Sequence, residues 1–304
     1  MIDYFQYELP LKKPWVEPTR KGFVVTFKKD GITGFGEVAP VPGYSTESFA
    51  EAAEELRLGS YTLPSVIWGV ELAKLSWRAQ KEGVSICKLL SESPEESLKV
   101  NALHSIDDII DLKPGSCVKI KVGRASLEEE IAAITPLIGK YRIRLDANRA
   151  WDLKTALAFA SVFAPGSFEY IEEPLDNYEQ LSLFYKESAH SFALDETLHS
   201  QKNIPEIDGL VAIIIKPTLI GSLDSIYNFV KQARERSIDV VFSAAFESGI
   251  GTSAVAHLAA AWGTAGLPVG LDTYSWFAQD LLSSPLDMRD GILAISTDSR
   301  NAII

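Results

Sequence analysis

With 304 residues, 46% of them hydrophobic, the chain can bury a large core, either as two domains or as one barrel with an addition. A formal net charge of −12 argues against nucleic acid or an anionic membrane as partner. A small anionic substrate stays open, because a metal ion and a few inward lysines override that field locally. Cys87 and Cys117 are too few for a disulfide framework or a zinc site and read as buried, reduced thiols.

The opening Met1-Ile2-Asp3-Tyr4 runs straight into an alternating strand without a cationic, apolar leader, and the apolar runs fall short of a membrane span. A cytoplasmic location is the simplest expectation. Residues 2–9, 22–28 and 32–38 read as antiparallel strands, with Lys29-Asp30-Gly31 as a hairpin turn. The basic, proline-containing loop at 11–21 carries Trp15 and Arg20, candidates for a lid. A second irregular stretch, 39–44, precedes helices expected near 46–58, 64–82 and 85–91. Strands followed by helices make an α+β unit, with residues 91–97 as the junction.

From Lys99 the rhythm changes to strand, helix, strand. Strands are expected near 99–103, 117–122, 142–146, 168–172, 191–195, 211–216, 239–243 and 269–272, and Ser126 with Glu129 forms a capping box. The expected class is α/β: a TIM-type (β/α) barrel, (β/α)7β in form because one helix is missing, behind an N-terminal α+β capping domain. Residues 1–97 form that cap, 98–277 the barrel, and 278–304 a segment returning to the cap.

Chemistry-bearing residues stand where strands stop. Ile143-Arg144-Leu145-Asp146-Ala147-Asn148 alternates and then ends on a carboxylate, a small residue and an amide. Tyr170-Ile171-Glu172-Glu173-Pro174 and Ala193-Leu194-Asp195-Glu196-Thr197 follow, each about one strand-plus-helix unit further on. That recurrence places three carboxylates at one end of successive parallel strands, where a barrel keeps its active site. Residues two apart share a strand face, so Lys119 and Lys121 point inward together, Arg144 lies on the face of Asp146, and Lys216 reaches the same mouth. Three clustered carboxylates need counter-charge. Oxygen-only donors suit a hard divalent ion, assigned as Mg2+ with Mn2+ as a substitute. A lysine near a dication and other cations is available as a general base, which fits removal of a proton next to a carboxylate. His104, at a strand end, reads as a rim histidine, while His190, His199 and His257 read as non-catalytic.

These motifs resemble the enolase superfamily, in its muconate-cycloisomerase-like branch, over nearly the whole chain. The resemblance implies that Lys119-Ile120-Lys121 is the Lys-Xaa-Lys motif with Lys121 as acid/base. It further implies that Asp146, Glu172 and Asp195 hold the metal and that Lys216 is the lysine on the opposite face. A narrower similarity, to the o-succinylbenzoate synthases of menaquinone biosynthesis, rests on residues 34–40, 42–45 and 144–151, on Ser243 with Phe246-Glu247-Ser248, and on Gly270-Leu271-Asp272-Thr273. It implies a metal-dependent lyase that dehydrates 2-succinyl-6-hydroxy-2,4-cyclohexadiene-1-carboxylate to 2-succinylbenzoate by syn elimination through an enediolate. Lys119, Arg144, Asn148 and Ser243 would lie behind the site or touch substrate. Ala244-Ala245, where that family commonly has hydroxyl residues, departs from the pattern. The alternatives are an N-acylamino acid racemase or dipeptide epimerase on the same lysines, muconate cycloisomerisation, a Schiff-base aldolase, and a carboxylate-binding barrel without turnover. The last strand reads Asp272-Thr273-Tyr274, without the second acid common in dipeptide epimerases.

Overall fold

The structure, a computed structural model, describes residues 1–13, 16–108 and 110–295, so Trp15 lies outside the described residues. It begins with strands β1 (Ile2–Pro10), β2 (Thr19–Lys29) and β3 (Ile32–Val38), helices α1 (Phe49–Leu58), α2 (Pro64–Glu82) and α3 (Ile86–Leu90), and strand β4 (Ser97–Lys99). There follow β5 (Ala102–Ser105), β6 (Cys117–Lys121), α4 (Leu127–Ile134), β7 (Arg142–Asp146), α5 (Leu153–Ala160), β8 (Tyr170–Glu172), α6 (Leu181–Ser188), β9 (Phe192–Leu194) and α7 (Glu196–His199). The rest is β10 (Leu210–Ile215), α8 (Pro217–Ile220), α9 (Leu223–Glu235), β11 (Asp239–Phe242), α10 (Gly249–Trp262) and β12 (Ile292–Ala294). Among the described residues no helix is long and apolar enough to cross a membrane.

The chain forms two compact units. The first comprises Met1–Lys99, Ile215–Val230 and Phe242–Ile304, and the second Val100–Ile214 and Lys231–Val241. In the first unit β1, β2 and β3 form an antiparallel meander. Asp30 and Gly31 close the β2–β3 hairpin with φ of 53° and 75°, the positive pair a type I′ turn requires. The sheet lies directly on α2. A Cβ added at Gly36 would come within 2.0 Å of the Gly69 carbonyl oxygen, so only glycine permits that approach. Strand β12 pairs antiparallel with β4 and brings the C-terminal segment back to this unit.

The second unit is built on a seven-stranded sheet in the order β11-β10-β9-β8-β7-β6-β5, and the pairings from β5 to β10 are parallel. Ser126 and Glu129 form the expected capping box at the start of α4. Two strand expectations are corrected. The stretch expected at 99–103 divides into β4 and β5 around Val100 and Asn101. The eighth strand, expected at 269–272, is cut down to the bridge residues Val269 and Gly270: Gly270 pairs in parallel with Ser243, and the Val269 N–H donates to the Lys99 carbonyl at 2.8 Å. A 3-10 turn already begins at Asp272, and Pro268 has no N–H to give a ladder, which leaves no room for more.

Candidate active site

The site grows from the register of three adjacent strands. Lys119 stands opposite Arg144 and Lys121 opposite Asp146 across β6 and β7; across β7 and β8, Arg144 faces Tyr170 and Asp146 faces Glu172. Neighbours in register share a face, so two layers result: Lys119, Arg144 and Tyr170 below, Lys121, Asp146 and Glu172 at the strand ends. Glu172 pairs with Ala193, which puts Asp195 on the same face one step beyond β9. Asp146, Glu172 and Asp195 are all 0% exposed.

Buried carboxylates persist only with counter-charge or hydrogen bonds. Lys119 Nζ lies 2.8 Å from Asp146 Oδ2 and donates to Glu172 Oε1 at 2.7 Å. Burial opposes the charge on Lys119, yet Asp146, Glu172 and Asp195 together outweigh it and hold its pKa well above the ordinary lysine range. Lys121 Nζ donates to Asp146 Oδ2 at 2.5 Å and to Asn148 Oδ1 at 2.8 Å. The Asn148 side chain donates in turn to Glu196 Oε1 at 2.8 Å, and its backbone N–H to Asp146 Oδ1 at 3.1 Å. The structure therefore brings Lys119, Lys121, Asp146, Asn148 and Glu172 into one network.

Arg144 sits one layer lower. It donates to Glu169 at 2.7 Å and Asn101 at 3.3 Å and lies 5.2 Å over the Tyr170 ring, which makes it a buried support beneath the acids. Its neighbour Cys117 is a free buried thiol, pushed up to about 11 mainly by burial. Lys216 follows β10 directly and is 9% exposed. In the strand order, β6 and β10 flank the three strands that end in acids. Ser243, in the first unit, donates its hydroxyl to the Gly270 carbonyl at 3.1 Å.

Arg20 is a candidate for a lid on sequence. It is instead buried in β2 and donates to the carbonyls of Ala39, Pro40 and Phe246 at 2.5, 2.9 and 2.9 Å. A guanidinium so engaged ties loops of the first unit together and does not swing. His104 Nδ1 lies 3.8 Å from Asp108 Oδ2. His199, set aside on sequence, lies with Nε2 3.4 Å from Asp195 Oδ1.

Sequence reasoning set Glu173 and Glu196 aside as the acids beside the ligands and gave neither them nor Arg149 a role. Glu173 is 1% exposed, and Asn148, Arg149 and Glu173 all adopt positive φ, of 45°, 61° and 41°. Left-handed non-glycine residues gathered behind strand ends mark a place where geometry is held for function. The doubled acids Glu172-Glu173 and Asp195-Glu196 were the available signal, since alternation sends the second of each pair away from the first.

Three neighbouring strand ends, three fully buried carboxylates and oxygen as the only donor type fit a hard divalent cation in kind and number. Among the described residues no three His, Cys, Asp or Glu side chains are already drawn together at metal-ligand spacing; the ammonium of Lys119 stands between Asp146 and Glu172.

Known proteins resemble this chain at two levels, sequence and fold. Residues 113–299 match the family model described as "Enolase C-terminal domain-like". The chain belongs to the enolase C-terminal domain-like family. Residues 2–77 match the model "MenC, N-terminal domain". The chain is 33% identical to the o-succinylbenzoate synthase of Aliivibrio fischeri (strain MJ11), over 92% of each chain. It is 32% identical to that of Edwardsiella ictaluri (strain 93-146), over 87% of this chain and 85% of the relative. In fold it matches a muconate lactonizing enzyme from Pseudomonas fluorescens solved with muconolactone, with a TM-score of 0.85 at 19% identity over 100% and 96% of the two chains. The dipeptide epimerase of Enterococcus faecalis V583, solved with Mg and the dipeptide L-Leu-L-Tyr, matches with a TM-score of 0.81 at 18% identity over 98% and 97%.

Proposed function

We propose that the chain catalyses the o-succinylbenzoate synthase reaction in menaquinone biosynthesis, the syn dehydration of 2-succinyl-6-hydroxy-2,4-cyclohexadiene-1-carboxylate to 2-succinylbenzoate. The observation that carries this reading is Lys121 at its strand end, within hydrogen-bond reach of the first of three buried carboxylates and of Asn148. Relatives about 30% identical over most of the chain act as o-succinylbenzoate synthases. Mg2+ is the assigned ion, held by Asp146, Glu172 and Asp195. When bound, it supplies positive charge where negative charge develops on the substrate carboxylate.

Lys121 takes the proton alpha to that carboxylate and returns it to the departing hydroxyl, so water leaves from one face and the ring becomes aromatic. One base suffices because the elimination is syn. Lys121 beside a bound dication would have its ammonium form disfavoured, which is how a lysine in this place becomes available as a base. Lys216, just past the end of the far flanking strand, stays protonated and faces the developing enediolate. Lys119 and Asn148 hold the acids and Lys121 in place, Arg144 supports them from below, and Ser243 is a substrate contact. The reading keeps the barrel of residues 98–277, the cap of 1–97 and the returning segment of 278–304, in a cytoplasmic enzyme.

The second reading is a dipeptide epimerase, whose fold this chain shares. Tyr274 stands where such enzymes commonly carry a second acid. Its hydroxyl donates to Asp280 at 2.5 Å and accepts from the Leu286 N–H, which leaves no carboxylate for a substrate amine. The test is a dehydration assay with Mg2+ and then with chelator, run beside a dipeptide epimerisation assay. Aromatisation lost on chelation supports the synthase. Epimerisation without aromatisation replaces it with the second reading.

A further inference from the structure

We propose that Glu173 is a positioning residue for Asp195 and, through it, sets the affinity for the divalent ion. The proposal rests on the reading of Asp195 as a metal ligand. Glu173 follows ligand Glu172 directly, so strand alternation sends its side chain off the face the acids share. Its φ of 41° turns the chain into the left-handed region, which L-residues otherwise avoid. The carboxylate is thereby aimed at the next strand end. Oε1 accepts the backbone N–H of Asp195 at 2.8 Å and of Thr197 at 2.7 Å. Oε2 accepts the Thr197 hydroxyl at 2.9 Å and Arg149 Nε at 3.1 Å.

Two further bonds close the frame. Arg149 donates its backbone N–H to the Glu173 carbonyl at 2.8 Å and its Nη2 to Thr197 Oγ1 at 2.8 Å. Glu173, 1% exposed, thus spends both oxygens on the loops that follow β7 and β9. One acid therefore fixes where the third ligand begins, relative to the second. Groups that orient a ligand in this way change metal affinity about 10–100-fold when removed.

The experiment measures Mn2+ binding by electron paramagnetic resonance, with the thermal melt of each variant alongside. Glu173→Ala is expected to weaken Mn2+ about 10–100-fold. Glu173→Gln keeps an amide oxygen for the two backbone donors and is expected to bind within a few-fold of wild type. Wild-type affinity in Glu173→Ala overturns the proposal, as does a Gln variant as weak as Ala, because charge rather than position would then matter. Should Glu173→Ala not fold, Arg149→Met removes the donors to Glu173 and to Thr197 from a half-exposed site and is expected to weaken Mn2+ several-fold; no change overturns the proposal. Asp195→Asn separates the two readings. If it binds as tightly as wild type, the metal assignment fails and takes the proposal with it.

Discussion

Two groups of fully buried acids in this chain are satisfied in opposite ways. In the second unit, Asp146 and Glu172 are met by the ammonium groups of Lys119 and Lys121. In the first unit, Glu37 and Glu247 are equally buried but are met by neutral donors. Glu37 accepts from the Tyr7 hydroxyl, from Ser248 N–H at 2.8 Å and Oγ at 2.6 Å, and from Gly251 N–H at 2.8 Å. Glu247 accepts from Thr218 Oγ1 at 2.6 Å and Ala245 N–H at 2.5 Å, and burial, followed by nearby Glu37, raises its pKa. Donors built into backbone and short hydroxyls fix an acid at the start of α10 and leave it nothing else to do. Lysine ammoniums on flexible stems can exchange for another cation, which leaves the acids free for chemistry. Burial alone does not separate structural from functional carboxylates; the kind of donor does.

The largest expected effect lies in the second unit. Lys121→Ala should lower dehydration turnover by about 10²–10⁴-fold, the range of a lost general base, while the thermal melt and Mn2+ binding stay near wild type, because the Lys121 side chain is 20% exposed. Full turnover by this variant would discard the assigned base. The mirror experiment is Glu37→Ala, which strands the N–H groups of Ser248 and Gly251 and the Tyr7 hydroxyl in the core. At about 1–3 kcal/mol for each buried unsatisfied group, chemical denaturation should show a loss of about 3 kcal/mol or more, with Mn2+ affinity unchanged. A stable Glu37→Ala protein with weakened metal binding would erase the contrast between the two groups.

Metal linkage sharpens the contrast further. A divalent ion at about 100 times its Kd should stabilise the wild-type protein by about 2.7 kcal/mol, read as a rise in Tm that chelator reverses. Asp195→Asn should lose that rise and Glu37→Gln should keep it.

What could be read beforehand follows from which interactions are local. Alternation and turn chemistry are local, so β1–β3, the Asp30-Gly31 turn and the Ser126 capping box were legible, as was the placement of Asp146, Glu172 and Asp195 at strand ends. Enzyme class came through motifs, because the residue types and spacing of Lys119-Ile120-Lys121 and of the three acid ends carry the resemblance in the sequence itself. The partners of buried side chains were not legible. Arg20 sits in a polar loop by composition, yet three of its carbonyl acceptors come from residues 39, 40 and 246, far from it in sequence. Glu173 and Glu37 were hidden for the same reason: their donors lie on distant backbone, which carries no sequence signature. The eighth strand was lost to Pro268 and the turn at Asp272, whose competition with one short apolar run only tertiary context decides.

The smallest effect concerns His257, on the same helix that Glu37 caps. His257 is buried, and its Nδ1 has no hydrogen-bond partner among the described residues. Burial lowers its pKa from 6.5 to about 4, so the folded protein keeps it neutral where the unfolded chain would take up a proton. The stability this group contributes is complete above about pH 6.5 and is lost as pH falls toward 4. The whole gap corresponds to roughly 3 kcal/mol, but between pH 7 and pH 6 the loss is under about 1 kcal/mol. Denaturation of wild type and His257→Gln at pH 7, 6 and 5 isolates this contribution, because every other titrating group is common to both proteins. The wild type should lose more stability than the variant at each step down, while Lys121-dependent turnover responds to His257→Gln at none of them. Parallel stability curves would mean that α10 admits the charge, and the first unit would then be less rigidly packed around its neutral donors than the geometry of Glu37 requires.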